Sequence, residues 1–305
     1  MSMINLEQEQ IELTDNIKVK RQSQAGYIWF QFQRNKMALA GLVFLVILTF
    51  VAIFSSHLTP YDPLQMDTAY AMGTPKPPSW IHIFGTDDLG RDEFSRAISA
   101  SEVSIGVGFV AVGISTIIGI LVGSLAGFFG GGVDNVLMRV ADIFLSLPTF
   151  FLILTVNSFL KPSIYNIMVV IGIFGWMNTA RLVRGEFLRL QNIDFITAAR
   201  SVGVSNVGMI LRHFLPNAIA PVIVSATIGI PSAILLESSL SFLGLGVPAP
   251  LASWGNMLYD GRNWMDMAWW MWVPPGVLIS ITVIAFNFVG DGLRDAFDPT
   301  QRGRL

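Results

Sequence analysis

The sequence predicts an all-α integral membrane protein with six transmembrane helices. Hydrophobic residues make up 52% of the 305 residues and charged residues only 13%, and the mean hydropathy of +0.58 exceeds that of an ordinary soluble domain. Six apolar stretches each reach the roughly 20 residues that a helix needs to cross about 30 Å of hydrocarbon. The predicted spans cover residues 37–58, 103–129, 140–160, 162–183, 218–243 and 267–290.

The distribution of Lys and Arg predicts how these spans are oriented. If the N-terminus is cytoplasmic, the inner segments carry fourteen of the 19 Lys and Arg residues and the outer segments carry five. This imbalance favours a cytoplasmic N-terminus and a cytoplasmic C-terminus. The chain then divides into a cytoplasmic N-terminal segment (1–36), a six-helix transmembrane domain (37–293) and a cytoplasmic tail (294–305).

The N-terminal segment ends in an aromatic and basic stretch next to the first span. Its residues are Tyr27, Trp29, Phe30 and Phe32, followed by Arg34 and Lys36. Such a stretch forms either a short helix lying on the inner leaflet or an ordinary aromatic and basic flank of a span, and both interpretations stay open. The span 37–58 is too long for a signal-peptide core and lacks a cleavage pattern, so we expect it to be retained.

Residues 59–101 form the predicted main outer segment, and its prolines indicate an extended loop. Four acidic residues, Asp87, Asp88, Asp92 and Glu93, raise the possibility of a divalent metal site, but the spacing of a calcium-binding loop is absent. We therefore favour a hydrogen-bonded loop that closes the outer mouth, with Arg91 as a neighbour of these carboxylates.

The second span contains a ridge of small residues. Gly119, Gly123 and Gly127 recur every four residues, in phase with Ser115. This ridge permits close helix contact, either within the chain or with a partner chain. The glycine-rich stretch 127–132 lacks the Gly-Lys-Ser/Thr of a phosphate-binding loop, so it is interpreted as a tight turn.

Ionisable residues in the later spans are few. Arg139 and Asp142 are spaced to pair on one helix face. Glu237 lies towards the outer end of the fifth span and should face protein or water instead of lipid, because a charge in hydrocarbon is costly. Packing or an inter-subunit hydrogen bond is favoured for Glu237 over contact with the amino group of a transported ligand.

The outer segment before the sixth span is rich in tryptophan. The residues are Trp254, Trp264, Trp269, Trp270 and Trp272, with Tyr259. Most are expected to form an interfacial belt, and a minority could receive an external protein. The histidines have no metal-site spacing, no Ser/His/Asp arrangement is evident, and the absence of Cys excludes disulfides and Cys nucleophiles.

The polar insert 186–217 between the fourth and fifth spans is the most informative segment. Phe195, Ala198, Ala199 and Val202 recur at helical spacing and predict one apolar face on a short helix that starts at Asp194. Gly203 can end this helix with a positive φ, Ser205 can cap a second helix, and Pro216 suits the first turn of the next span. Because simple connections are shorter, the insert is predicted to dock another protein.

The insert resembles the Glu-Ala-Ala loop of permease subunits of ATP-binding-cassette importers, on the pattern Ala198-Ala199-x-x-x-Gly203 followed by Leu215-Pro216. Thr197 stands where the family consensus has Glu, and His213 stands where it has Ile. Three further strings, at 85–92, 237–246 and 290–295, make the chain similar to the second or "C" permease of the dipeptide and oligopeptide (Dpp/Opp) branch.

The resemblance implies the type I, MetI-like permease fold in the cell membrane. It also implies ATPase coupling through the following residues: Asp194, Thr197, Ala198, Ala199, Arg200, Gly203, Leu215 and Pro216. The implied partners are a homologous second permease, two ATP-binding subunits that hold ATP and Mg²⁺, and an extracytoplasmic peptide-binding protein. The chain itself is expected to be no enzyme, to bind no cofactor or metal, and to have no nucleic-acid partner.

Peptide import is the favoured function, and import of a nickel complex, a glycoside or an opine is the alternative. A proton-coupled secondary transporter is more distant, because several ionisable groups within the spans and internal repeats are not evident. An intramembrane hydrolase lacks a nucleophile and base pair or a metal motif.

Overall fold

The computed structural model describes residues 24–67, 70 and 73–297, and within these the fold is entirely helical. The predicted segment 1–23 and the tail beyond residue 297 lie outside the described residues. The helices are α1 (Gln24–Arg34), α2 (Lys36–Ile53), α3 (Ser55–Leu58), α4 (Glu93–Phe129), α5 (Gly131–Leu145), α6 (Thr149–Phe159), α7 (Ile164–Ile173), α8 (Trp176–Leu190), α9 (Asp194–Ser201), α10 (Asn206–Gly208), α11 (Leu215–Phe242), α12 (Trp254–Gly261) and α13 (Trp269–Phe297). A π-helical segment, Met209–Phe214, joins α10 to α11, and a 3₁₀ turn, Arg262–Trp264, follows α12.

Among the described residues, five helices are long and apolar enough to span a membrane, and a bent helix pair gives a sixth if it is counted as one span. The bent pair is α5 and α6, which meet at 83°. Pro148 lies at this bend, and a proline disfavours the helical conformation in the residue before it. The fourth span is α7 followed by α8, with a short break at Phe174 and Gly175.

The second span begins ten residues earlier than the apolar pattern predicts. The Asp92 side chain accepts a 2.8 Å hydrogen bond from the Ser95 backbone N–H and caps α4, which starts at Glu93. The expectation of an extended loop throughout 59–101 is therefore wrong for residues 93–101. With 37 residues, α4 is about 55 Å long at 1.5 Å per residue, so it extends beyond the hydrocarbon.

The glycine ridge of α4 packs against α8 of the same chain. A Cβ on Gly119 would lie 2.6 Å from Thr179 Cβ, and a Cβ on Gly123 would overlap the Ala180 carbonyl oxygen. One turn further, a Cβ on Gly127 would lie 2.6 Å from Phe187 Cβ. The sequence left open whether the ridge packs within the chain or on a partner chain. The structure shows that it packs within the chain.

Ion pairs join α5 to α8. Arg184 Nη2 donates to Asp134 Oδ2 at 2.6 Å, and Arg181 pairs with Asp142. The predicted pair between Arg139 and Asp142 along one helix is therefore wrong. Sequence spacing shows which residues can pair along one helix. It does not show that Arg181 of α8 lies within reach of Asp142.

The short helix α1 packs against the inner end of α13. Phe32 is 3% exposed and lies beside Gly292, whereas Trp29 and Phe30 are half exposed. Asn35 then caps α2 by accepting a hydrogen bond from the Ala38 N–H at 3.1 Å. The predicted helix exists, and its placement on the inner leaflet stays a prediction.

Candidate docking surface and inner cavity

The polar insert folds into a hairpin whose first arm, α9, ends at a glycine. Gly203 has φ +79°, its N–H donates to the Arg200 carbonyl at 3.1 Å, and the Val204 N–H donates to the Ala199 carbonyl at 3.3 Å. These two bonds form the Schellman motif, in which a residue in the left-handed conformation ends a helix. The local sequence thus fixes where α9 stops and the chain reverses.

The four apolar positions predicted to share one face of α9 point in different directions. Ala199 is 8% exposed and, with Ile196, belongs to a core cluster of the same chain. Phe195 is 43% exposed, Val202 is 81% exposed, and Ala198 is also exposed. Of the four, only Phe195, Ala198 and Val202 are available to another protein. The prediction of one shared apolar face is therefore wrong for Ala199.

The second arm of the hairpin adds further exposed apolar residues. Ser205 caps α10 by accepting a hydrogen bond from the Gly208 N–H at 3.3 Å. Beyond it, Val207 is 65% exposed and Leu211 is 57% exposed. We call the exposed residues Phe195, Ala198, Val202, Val207 and Leu211 the docking face.

The helix after the docking face continues into the fifth span without a break. Pro216 lies in the first turn of α11, as predicted. The expected start of the span at Ala218 is wrong, because α10, the π segment and α11 form one helical rod from Asn206 to Phe242. Pro216 has no N–H to donate to the preceding turn, and the wider π turn comes directly before it. The remaining predicted coupling residues Asp194, Thr197 and Arg200 are exposed on α9, and Leu215 is partly buried.

An aromatic core connects the hairpin to three membrane helices. The Phe214 ring lies 4.9 Å from the Phe187 ring and 5.5 Å from the Phe128 ring, measured between centroids. Gln191 Nε2 donates to the Gly127 carbonyl at 2.6 Å. This core packs the hairpin against α4 and α8.

Two cavities lie along α11 above the hairpin. The inner cavity, of about 880 Å³, opens between α8, α11 and α13, and the middle cavity, of about 340 Å³, lies deeper among the spans. They share Asn178, Ser225 and Ile228 as lining residues. The middle cavity is otherwise lined by small, apolar and hydroxyl side chains, without a charged residue among the described residues that line it.

Glu237 is enclosed by its own chain near the outer end of α11. It is 0% exposed, and Ser241 Oγ donates to its Oε1 at 2.6 Å. Ser253, the cap of α12, lies next in this hydroxyl chain, 3.5 Å from Ser241. The geometry matches a packing role for Glu237, and the side chain lines neither the inner nor the middle cavity.

The outer loop is held by buried ion pairs. Asp87 accepts from Arg91 Nε and from Arg96 Nη1, each at 2.6 Å, and Arg96 Nη2 donates to Asp260 of α12 at 2.9 Å. Asp88 beside them is partly buried, and this burial, followed by the charge of Asp87, raises the pKa of the Asp88 carboxyl. Within the described part of the chain, no three His, Asp or Glu side chains are arranged to hold a metal ion.

Two residues of the predicted tryptophan belt are core residues. Trp254 is fully buried and its Nε1 donates to the Ala97 carbonyl at 3.2 Å, while Trp270 is 7% exposed and donates to the Thr86 carbonyl at 3.2 Å. Trp269 is 55% exposed, as expected for an interfacial residue. The belt interpretation is wrong for Trp254 and Trp270, whose apolar neighbours come from distant segments.

Two protein-family models match separate parts of the chain. Residues 119–303 match the model of the binding-protein-dependent transport system inner membrane component. Residues 23–78 match the model of the N-terminal TM domain of oligopeptide transport permease C.

Individual relatives are similar over most of their length. An oligopeptide transport system permease protein OppC of Bacillus subtilis is 40% identical over 272 residues, covering 89% of this chain and 88% of the relative. A dipeptide transport system permease protein DppC of the same organism is 37% identical over 298 residues, covering 97% and 92%. A di/tripeptide permease protein DppC of Pseudomonas aeruginosa is 40% identical over 277 residues, covering 89% and 90%.

A solved structure shares the fold at low sequence identity. A chain of the MetNI methionine ABC transporter, in an inward-facing conformation, superposes with a TM-score of 0.54 at 18% identity, covering 67% of this chain and 97% of that chain. The likeness shows the type I importer permease fold.

Proposed function

This chain belongs to the family of inner membrane components of binding-protein-dependent transport systems, and we propose that it forms half of the translocation pathway of an ATP-driven peptide importer. The observation that carries the proposal is about 40% identity to dipeptide and oligopeptide permease proteins over nearly nine-tenths of both chains. The cavities and the hairpin support it by offering a route for a substrate and a surface for an ATPase.

The docking face supports contact with an ATPase subunit. Apolar side chains that project from a polar hairpin are characteristic of binding surfaces, because isolated soluble surfaces seldom hold such a cluster. Ala198 is exposed in the middle of α9, where a small side chain lets a groove approach the helix backbone. We assign the predicted coupling role to the docking face. Ala199 packs in the core beneath α9 and so holds this helix in place.

The mechanism follows from the continuity between the docking face and the cavities. Closure of two ATPase subunits around ATP would move the hairpin as a unit, because Ile196 and Ala199 fix α9 to the core below it. The rod formed by α10, the π segment and α11 would carry this movement to the cavity walls. ATP and Mg²⁺ would bind in the partners, and the bundle would alternate between inward-open and outward-open packings.

The cavity lining is suited to a substrate of variable side chains. Asn178 and Ser225 offer amide and hydroxyl groups that can bond a peptide backbone, and these groups are shared between the two cavities. A site for a metal complex would be expected to present charged or imidazole ligands, and the middle cavity has neither among its described lining residues. The middle cavity therefore favours a peptide over a nickel complex, whereas the inner cavity, lined by Glu186, Arg189 and Arg294, does not distinguish the two substrates.

Transport by the purified complex tests the substrate. The chain carrying an affinity tag is purified with its bound subunits, which are identified by mass spectrometry and reconstituted into vesicles with the binding protein. We expect two ATPase subunits, a second permease and ATP-dependent accumulation of labelled di- or oligopeptides. Accumulation of a nickel complex, a glycoside or an opine with no peptide uptake would overturn the substrate assignment, and absence of ATPase subunits would overturn the coupling.

A further inference from the structure

The loop between the first and second spans carries a fully exposed apolar turn. Trp80 is 104% exposed, and Ile81 and Ile83 are each 56% exposed. Between Lys76 and Asp87 the sequence contains no Lys, Arg, Asp or Glu, and the one ionisable residue there, His82, is only 4% exposed. An exposed cluster of this kind marks a surface that something covers.

The turn at 79–83 is rigidly built. The Ser79 N–H donates to the His82 carbonyl at 2.8 Å, and the His82 N–H donates to Ser79 Oγ at 3.1 Å. The His82 ring is held 2.9 Å from Asp92, the residue that caps α4. The structure thus anchors the buried histidine, while its chain neighbours Ile81 and Ile83, and Trp80 before them, are exposed.

The turn adjoins the end of the first span on the side of the membrane opposite to α9. Tyr61 Oη donates to the Ile81 carbonyl at 3.0 Å, and the Tyr61 ring lies 5.0 Å from the His82 ring. Tyr61 follows shortly after α3, and the end of α2 exposes Phe50 and Ile53 at 54% and 68%. Exposed apolar side chains therefore lie both at the end of the first span and on the turn that Tyr61 contacts.

We propose that the turn at 79–83 inserts Trp80, Ile81 and Ile83 into the headgroup region of the leaflet opposite to α9. Tryptophan favours this depth, because its ring is apolar and its N–H can reach water or a headgroup. The crossed hydrogen bonds between Ser79 and His82 satisfy backbone groups that would be costly to bring near hydrocarbon. Lipid is favoured over a protein partner because the patch is uncharged and because Tyr61, which follows shortly after the end of the first span, contacts the turn.

The insertion anchors the ion-paired outer loop to the bilayer. Asp92 joins the turn to the start of α4, and Asp87 in the same loop pairs with Arg96 within α4. Lipid bound to Trp80 and Ile81 would thus fix the position of the loop beside the outer mouth. The inference rests on the membrane location of the chain and not on the identity of the transported substrate.

Collision measurements on single cysteines test the proposal. The chain contains no Cys, so Trp80→Cys and the control Thr74→Cys, on an exposed position of the same loop, can each carry one nitroxide label. Both are studied in the full complex in vesicles, with oxygen as the apolar reagent and a nickel chelate as the aqueous reagent. We expect oxygen to collide more often than nickel at position 80 and less often at position 74.

Equal nickel accessibility at positions 80 and 74 would show the turn in water and overturn the proposal. Protection of position 80 from both reagents only after the binding protein is added would overturn it in favour of a protein interface. Since the Trp80 side chain is fully exposed, its replacement leaves the fold intact, which normal yield of the complex and retained ATPase activity would verify.

Discussion

Two adjacent alanines in α9 have different surroundings, and this difference separates docking from folding. Ala198 is exposed, whereas Ala199 is 8% exposed within the core cluster that contains Phe187 and Phe214. Neither residue type nor spacing distinguishes them, because the helical pattern accommodates both on one face. The core below α9, assembled from three distant segments, decides which alanine faces inwards.

Ala198→Asp should abolish coupling while the chain folds normally. A charge on the docking face would be desolvated against the ATPase groove without a partner. The measurement is ATPase activity with and without binding protein and peptide, together with retention of the ATPase on co-purification. Full stimulation and uptake in this variant would remove α9 from the coupling mechanism.

Ala199→Asp is the matched substitution and should damage the fold itself. It buries an unpaired carboxylate, which costs about 3 kcal/mol or more. Thermal unfolding of the purified chain in detergent should show a lower midpoint for Ala199→Asp than for Ala198→Asp. Equal midpoints would mean that Ala199 is not buried in solution.

Gly203 is required for its backbone conformation alone. It has φ +79°, and a Cβ at this position would meet no heavy atom within 4 Å. Gly203→Val should therefore destabilise the hairpin by about 1–2 kcal/mol, the cost of a left-handed conformation with a side chain. Gly203→Asn should lose less, since asparagine tolerates this conformation. Limited proteolysis of the hairpin compares the two, and equal protection in both variants would contradict the argument.

At the scale of elements, the contact between α4 and α8 depends on the absence of side chains. Gly123→Leu should lower the yield of folded chain, because the new side chain would force the two helices apart. Gly113→Leu on the same helix is the control, since a Cβ there meets nothing within 4 Å. Size-exclusion profiles should show aggregation for Gly123→Leu only. Identical size-exclusion profiles for Gly123→Leu and Gly113→Leu would show that the glycine ridge of α4 faces open space.

The outer ion pairs form a second element-scale contact, between the start of α4 and α12. Asp87→Asn would leave Arg96, whose side chain is 3% exposed, without its 2.6 Å carboxylate partner. Breaking a buried pair on one side costs about 3–5 kcal/mol. The unfolding midpoint should fall well below that of Asp62→Asn, a change in an exposed part of the same loop. An unfolding midpoint equal to that of Asp62→Asn would show that the ion pair with Asp260 alone is enough to stabilise the buried Arg96 charge.

Helix existence was predictable from the sequence, while several boundaries and partners were not. Apolar stretches located five spans, and the predicted third span, 140–160, straddles the bend at Pro148 between α5 and α6. Gly203 and Ser205 marked the ends of the hairpin arms. Asp92, a residue type that caps helices, followed by Glu93 indicates the early start of α4. The apolar stretch starts later, so it predicts a later start for the span. The pair of Arg96 with Asp260 spans 164 positions, and single-sequence periodicity carries no information on such contacts.

At the scale of the whole molecule, the six spans place the hairpin and the loop between the first two spans on opposite sides of the membrane. Thr74→Cys and Asn192→Cys both lie on exposed positions. A membrane-impermeant thiol reagent applied to intact cells should label the first and not the second, as the excess of inner Lys and Arg predicts. Labelling of both from outside would refute the topology.

The middle cavity, which we propose as part of the translocation pathway, presents no fixed charge among its described lining residues. A wall of hydroxyl, amide and methyl groups treats acidic, basic and neutral side chains alike at short range, because neutral dipoles can turn to face either sign. A charged cargo must then take its counter-charge from water or from the opposing subunit. In this view the middle cavity limits the size of its cargo, and discrimination by charge falls to other regions, such as the inner cavity lined by Glu186, Arg189 and Arg294.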